Sequence, residues 1–289
     1  MQSLGNDFLV IDALTQEINL PALAIKKLSD RNLGVGFDQL LLIEPPTNPD
    51  KDFYFRIFNA DGSQAEQCGN GTRCAASFVI DKNLTNKHTL FWQSLGGDFK
   101  TSYTSQREIQ TQIALANCLP ITHTLEIGAL EKATEVHAIS IGNPHAVVIV
   151  DNIQTPEVAY VGRAISDSEA FPEGANVGFC QLVDQGFARL RVFERGVGET
   201  MACGTGACAA AIVSASKGLI GDTVKISMPG GKLKLAMPKI KDSISLSGPA
   251  FKVFEGKLEV EGLTSVSYTH LRAHETKANR VCRRGVEKK

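Results

Sequence analysis

Residues 56–76 read RIFNADGSQAEQCGNGTRCAA, and residues 191–211 read RVFERGVGETMACGTGACAAA. The two stretches superpose without a gap at an offset of 135 residues. Arg56 falls on Arg191, Phe58 on Phe193 and Cys68 on Cys203. Gly69 and Gly71 fall on Gly204 and Gly206, and Ala75 and Ala76 on Ala210 and Ala211. A period of that length is far longer than a solenoid unit and implies two copies of one domain. In each copy alternating apolar residues predict a strand: Phe53, Phe55 and Ile57 in one, Leu190 and Val192 in the other. A glycine-bearing loop follows, then Cys-Gly-x-Gly, then a run of small and apolar residues. That run predicts helices over 72–82 and 207–217, the second closed by Gly218 as a C-cap. Each copy therefore sets a cysteine at the mouth of a helix N-terminus.

Outward from the repeat, short apolar segments bounded by turn residues predict strands. They fall at 8–11, 39–43, 90–94, 109–115, 138–141, 146–150, 224–228, 232–236 and 243–247. Further helices are expected over 21–30 and 156–168. The pattern implies an α+β fold of two pseudo-symmetric lobes, each a curved, mostly antiparallel sheet wrapped around a central helix. The boundary is expected near 116–122, where Asn-Cys-Leu-Pro interrupts the pattern. This gives a first lobe over 1–116 with Cys68 and a second over 117–248 with Cys203. A strand within 249–261 is expected to return to the first lobe. The basic, unpatterned stretch 262–289 reads as a non-native tail.

Bulk properties exclude several classes. The chain has 289 residues, of which 43% are hydrophobic, and a formal net charge of −1. That balance gives no general pull toward nucleic acid or an anionic membrane. No apolar run reaches the roughly 20 residues that span a bilayer. The opening MQSLGNDFLVID has no basic region and is not expected to be a signal peptide. The seven cysteines, at 68, 74, 118, 180, 203, 208 and 282, contain no CxxC pair and no zinc-like Cys/His spacing. No metal and no disulfide framework is expected, and a reducing cytoplasm is the natural setting. Cys74, Cys118, Cys180 and Cys208 lack the following Gly-x-Gly and are read as structural.

Two cysteines at helix mouths suit proton chemistry. A helix N-terminus offers unpaired N–H groups and about half a positive charge. It binds carboxylates, and flanking glycines let a ligand approach the backbone. A free thiol titrates near about 8.5, and the helix dipole is worth up to about 2 kcal/mol, on the order of one pKa unit. Lobes placed face to face would set one sulfur on each side of a substrate α-carbon. One sulfur removes the proton as thiolate and the other donates as thiol from the opposite face, so the centre inverts. A cysteine nucleophile needs one thiol, not two related by a repeat.

Seven motifs together resemble the diaminopimelate epimerase family: LGNDF (4–8), GFDQLL (36–41), FNADGS (58–63), CGNGTRC (68–74), GNPH (142–145), ERGVGET (194–200) and ACGTGACA (202–209). They occur in family order between about residue 3 and about residue 261. The resemblance implies a two-lobed fold with the substrate between the lobes. It implies conversion of LL-2,6-diaminopimelate to the meso form, in lysine and peptidoglycan precursor synthesis, with neither pyridoxal phosphate nor metal, and a homodimer. Carried over by position, Cys68 and Cys203 match the catalytic pair. Gly69, Asn70, Gly204 and Thr205 match the α-carboxylate cradle. Asn6, Gln39, Asn59, Asn143, Asn176, Glu194 and Arg195 match further substrate contacts, and His145 and Glu194 match positions that tune the thiols. The chemistry agrees: Arg195 can hold a second carboxylate bidentately, and asparagines supply donors and acceptors at fixed angles.

Two features depart from the family pattern. Only Met1, Gln2 and Ser3 precede LGNDF, where the family carries an opening strand with a Met-His-Gly segment, so a shortened first strand is expected. The stretch after 262 has no family counterpart. The alternatives are a proline racemase or hydroxyproline epimerase type of isomerase, a non-catalytic amino-acid-binding protein on the same fold, and a dithiol redox protein. Arg195 and the asparagine set favour a substrate with a second polar end over a proline ring.

Overall fold

A computed structural model describes residues 1–66, 68–105, 108–115, 119–126, 128, 133–154, 157–237, 243–259 and 270–271. It has helices α1 (Ala22–Ser29), α2 (Gly69–Asp81), α3 (Val158–Ser166) and α4 (Gly204–Ser216), and its strands form two lobes around α2 and α4. Phe53, Phe55, Leu90 and Trp92 close on Cys74, Ala75, Ala76 and Val79 of α2. Leu190, Val192, Ile226 and Leu235 close on α4, from Ala207 to Ala211 and Val213. α4 is apolar on nearly every face because the sheet curls around it, and its alanines let the strands approach closely.

The strand order repeats as the helices do. In the first lobe Asn6–Asp12 runs parallel to Gln39–Glu44, with Phe8 beside Gln39. In the second, Pro144–Ile149 runs parallel to Asn176–Asp184, with His145 beside Asn176. An offset of 137 thus carries Asn6 onto Asn143, Phe8 onto His145 and Gln39 onto Asn176. Antiparallel partners follow: Gln39 pairs with Asn59, and Val177 pairs with Phe193, which leaves Asn176 and Glu194 as the next pair along. Each lobe adds a parallel crossover, Phe53–Asn59 with Thr89–Ser94 and Phe187–Glu194 with Thr223–Met228. A central helix fills each crossover.

The lobes share one sheet. Glu108–Ala114 pairs antiparallel with Ser243–Pro249 over seven registered positions, giving a continuous 17-stranded sheet. The chain beyond Pro249 lies against the N-terminus: Gln2 and Phe251 exchange backbone bonds of 2.8 and 2.9 Å, and Lys82 at the end of α2 pairs with Glu255. Gln2–Ser3 forms a two-residue strand against Asn6–Asp12.

Several boundaries differ from the sequence expectations. Both central helices begin three residues earlier, at Gly69 and Gly204, because glycine costs little in a first turn whose N–H groups need no helical partner. Gly218 takes the left-handed conformation expected of a C-cap, at φ +70. Phe99–Ser105 and Ile121–Leu125 are strands that the sequence reading missed, since FKTSYTS and ITHTL are too polar to mark a strand. Asn176–Asp184 was missed as well. Of the expected boundary at 116–122, residues 116–118, including Cys118, lie outside the described residues. In 262–289 only His270–Leu271 is described, paired with Leu258–Glu259; Cys282 is not. No helix among the described residues is long and apolar enough to cross a membrane.

Candidate active site

Each cysteine is the N-cap of its helix, with extended backbone: φ −152, ψ 102 at Cys68 and φ −126, ψ 115 at Cys203. Cys68 Sγ accepts from the Gly71 N–H at 3.4 Å, and Cys203 Sγ from the Gly206 N–H at 3.3 Å. Sulfur here takes the place usually filled by a serine or aspartate oxygen. The two helix mouths meet. A Cβ on Gly204 would stand 3.5 Å from Gly69 Cα and 3.3 Å from Leu246 Cδ2, and a Cβ on Gly69 3.7 Å from Gly204 Cα. Glycine at both positions lets two positive helix ends abut beside the two sulfurs.

A cleft of about 1180 Å³ opens over this junction. Cys68, Gly69 and Asn70 line it from one lobe and Cys203, Gly204 and Thr205 from the other. Asn6, Gln39 and Asn59 add polar groups on the first side, and Asn143, Glu194 and Arg195 on the second. Cys68 Sγ lies 3.7 Å from Asn6 Oδ1, and Cys203 Sγ 3.5 Å from Thr205 Oγ1. Gln39 Nε2 donates to Asn59 Oδ1 at 3.0 Å. Thr200 Oγ1 donates to Glu194 Oε1 at 2.6 Å.

Two of the sequence-predicted residues do not line the cleft. His145 is buried, and its Nε2 sits 3.0 Å from the Oδ1 of Asn143, which does line it. Asn176 is 8% exposed, and its Oδ1 accepts from the Arg195 N–H at 2.9 Å. Each is bonded to a residue that lines the cleft, Asn143 and Arg195 respectively. The Asn70 side chain is 3% exposed and turned inward, with Oδ1 bonded to Arg73 and Nδ2 donating to Ala202 O at 3.4 Å, so it braces the lobes. Arg195 leans on the backbone: Nη1 donates to Glu173 O, and a Cβ on Gly174 (φ +72) would fall 2.8 Å from Arg195 Cδ.

Electrostatics correct one expectation. The helix dipole alone would lower the thiols by on the order of one pKa unit, but burial outweighs it. Burial pushes Cys68 up to about 11, against the lowering effect of the Gly71 N–H; Glu194 raises it further and Arg73 opposes. Burial also raises Cys203, and Glu194 adds to it. Burial raises Glu194 itself, with bonds from Thr200 and Cys203 pulling the other way. Burial lowers His145 to about 4, so it is neutral near pH 7.

Sequence reasoning missed Asp38 and Arg31. Asp38 Oδ2 accepts from Asn6 Nδ2 at 2.7 Å, which turns Asn6 Oδ1 toward Cys68. Arg31 holds Asp38 at 2.8 Å and Asp7 at 2.7 Å. Both Asp38 and Arg31 line the cleft. Asp38 stands inside the GFDQLL motif, and that position was the available signal. Among the described residues no His/Cys/Asp/Glu group of three is placed to hold a metal ion.

The diaminopimelate epimerase family profile matches residues 1–117 and 137–253. A diaminopimelate epimerase of Acinetobacter baumannii (strain AYE) is 42% identical over 271 residues, covering 90% of this chain and 96% of that protein. One of Stutzerimonas stutzeri (strain A1501) is 43% identical over 271 residues, covering 90% and 98%. Among solved structures, a hydroxyproline epimerase from Agrobacterium vitis superposes with a TM-score of 0.65 at 13% identity, covering 88% of this chain and 89% of that one. At that identity the likeness shows the shared fold alone.

Proposed function

The chain belongs to the diaminopimelate epimerase family, and on that premise we propose that it inverts one α-carbon of LL-2,6-diaminopimelate to give the meso isomer. The observation that carries the reading is the pair of N-cap cysteines on abutting helix mouths. A substrate α-carboxylate seated between the mouths would meet backbone N–H groups of both helices, which also stabilise the charge that develops when the α-proton leaves. One sulfur then stands on each side of the α-carbon. The thiolate takes the α-proton, and the opposite thiol returns a proton to the other face. Net charge is conserved: one thiolate before, one after.

The other end of the substrate must be gripped without reacting. In this reading Arg195 would hold that carboxylate; Asn176 Oδ1 accepts from its backbone N–H and Glu173 O from its guanidinium. Asn6, Asn59, Asn143 and Glu194 line the cleft and would accept from the ammonium groups. The reading uses no cofactor. The family resemblance supports a homodimer, and the free thiols of Cys68, Cys74, Cys180, Cys203 and Cys208 support a reducing, cytoplasmic setting.

The test is incubation of reduced, extensively dialysed protein with LL-diaminopimelate, with isomers resolved by chiral chromatography. Appearance of the meso isomer, and return of LL from added meso isomer, is expected. Inversion of proline or hydroxyproline with no action on diaminopimelate would overturn the substrate assignment.

A further inference from the structure

Leu4 takes the left-handed backbone conformation, at φ +57. A residue with a Cβ is strained there, and such strain persists where the surroundings over-determine it. Among the described residues Asn83 is the other non-glycine at positive φ, and asparagine tolerates that conformation. Leu4 belongs to the first lobe by sequence, yet its side chain is buried in the core around α4 of the second. It enters at the turn between Thr223–Met228 and Gly231–Ala236. A Cβ on Gly230 would stand 1.8 Å from Leu4 O, and one on Gly231 would stand 2.6 Å from Leu4 Cδ2. The two glycines thus form a socket, one admitting the backbone of Leu4 and the other its side chain.

This contact is wired to both sides of the cleft. The Gly230 N–H donates to Met201 O at 2.8 Å, two residues before Cys203. A Cβ on Gly5 (φ +85) would lie 3.1 Å from Met201 Cβ. Two residues after Leu4, Asn6 Oδ1 lies 3.7 Å from Cys68 Sγ. One residue before it, Ser3 Oγ donates to Pro249 O at 2.8 Å and accepts from Nη2 of the buried Arg73 at 2.8 Å. Arg73 Nη1 in turn donates to Gly69 O at 2.9 Å, at the mouth of α2. Ser3 therefore ties the N-terminal turn to the helix that presents Cys68, while Leu4 ties it to the segment that delivers Cys203. The repeat lacks a second such crossing. At the offset of 137, Leu4-Gly5-Asn6 falls on Ile141-Gly142-Asn143. Ile141 is buried in the core of its own lobe and has no left-handed backbone.

We propose that Leu4 is a positioning residue: seated in the Gly230–Gly231 socket, it locks the lobes at the spacing that sets Cys68 and Cys203 on opposite faces of one α-carbon. The inference rests on the two-base reading above and adds what holds its geometry. Inversion needs both sulfurs on station at once. One takes the α-proton and becomes a thiol; the other gives its proton to the opposite face and becomes a thiolate. With the lock loosened, the first transfer survives and the second fails. The thiol just formed then exchanges with solvent and returns its hydrogen to the face it came from. The substrate is relabelled without inversion.

The experiment compares the wild type with Leu4→Ala, Gly230→Ala and Leu4→Met. Amide hydrogen exchange of the ligand-free, full-length protein, read by mass spectrometry, reports the lock without turnover. The wild type is expected to protect the Gly230 N–H, and Leu4→Ala to speed exchange at least about 10-fold over 199–206 and 228–233 while leaving 176–184 unchanged. Turnover of LL-diaminopimelate in heavy water reports the consequence. Leu4→Ala should lose at least about 10-fold in kcat, with KM changed by less than about threefold, and should place deuterium in recovered LL substrate. Gly230→Ala fills the socket from the other lobe and should do the same; Leu4→Met refills it and should restore most of the wild-type pattern. A merely structural loss would lower epimerisation and leave recovered substrate unlabelled. An unprotected Gly230 N–H in the wild type overturns the proposal, whether or not the variants fold. So does a folded Leu4→Ala or Gly230→Ala protein whose recovered substrate carries no deuterium while epimerisation falls. A wild type that does not act on diaminopimelate fails the substrate reading instead, and hydrogen exchange still decides the lock.

Discussion

At the scale of single residues, two sulfurs carry the proposed reaction and most neighbours serve to place charge around them. Cys68→Ala and Cys203→Ala should each lower epimerisation by about 10³-fold or more, because either change removes the proton carrier on one face. Chiral chromatography with each purified variant checks this, and one variant with near-normal turnover contradicts the two-base account. His145 gives a prediction about stability. Its buried imidazole titrates at about 4 instead of an ordinary 6.5, so the folded state binds its proton less readily than the unfolded state. Its contribution is therefore complete above about pH 6.5 and is lost as pH falls toward about 4, by at most about 3 kcal/mol. The repeat carries Phe8 at the matching place. His145→Phe should flatten this part of the acid limb in urea titrations between those pH values; an unchanged slope would contradict the assignment.

The residue scale was also the most legible in the sequence. Cys68, Cys203 and their glycines stood out because the repeat aligned them. Arg73 did not, since an arginine inside a helical run reads as a solvated side chain until the fold buries it. Asp38 and Arg31 escaped because their effect passes through Asn6. The inward turn of Asn70 could not be read either: whether an asparagine meets ligand or braces a second lobe depends on contacts far away in sequence, here with Ala202.

At the scale of elements, the helix mouths are built from glycine and capped by sulfur, and this is why a helix-propensity reading begins both helices too late. The strands legible in sequence were those with an apolar alternation, such as Phe53–Asn59. Those illegible were polar, such as Phe99–Ser105, which borrows its stability from neighbours on both sides. The packing of α3 on the strand that delivers Glu194 is tight enough to test. A Cβ on Gly162 would lie 2.5 Å from Phe193 Cβ. Alanine normally gains roughly 1 kcal/mol over glycine inside a helix, but overpacking a core costs typically about 1–3 kcal/mol, and here the obstacle is the base of a side chain that cannot swing away. The clash is expected to win. Gly162→Ala should lower Tm by a few degrees and weaken turnover, because Phe193 adjoins Glu194. A raised Tm in differential scanning calorimetry would contradict the packing described.

At the scale of the whole molecule, duplication explains the architecture and divergence explains the chemistry. The two lobes keep the helix, the crossover and the capped cysteine. They differ at Asn59 against Glu194, Phe8 against His145 and Arg73 against Cys208, all around the sulfurs. The shared ladder between Glu108–Ala114 and Ser243–Pro249 brings the mouths together, and Leu246 of that ladder touches both glycine positions. Sequence could supply the two copies but not their junction, because strand pairing between residues as distant in the chain as Ala114 and Ser243 leaves no local trace.

The most direct test of the two-base claim is the place where deuterium enters during the first part of the reaction. LL-diaminopimelate is incubated with reduced protein in heavy water, and substrate and product are separated and analysed by proton NMR and mass spectrometry before equilibrium. The expected result is one deuterium at the inverted carbon of the meso product and none in the recovered LL substrate, because the proton returned comes from a sulfur other than the one that removed it. Deuterium appearing in recovered LL substrate as fast as meso product forms would mean that one base serves both faces, and would contradict the account.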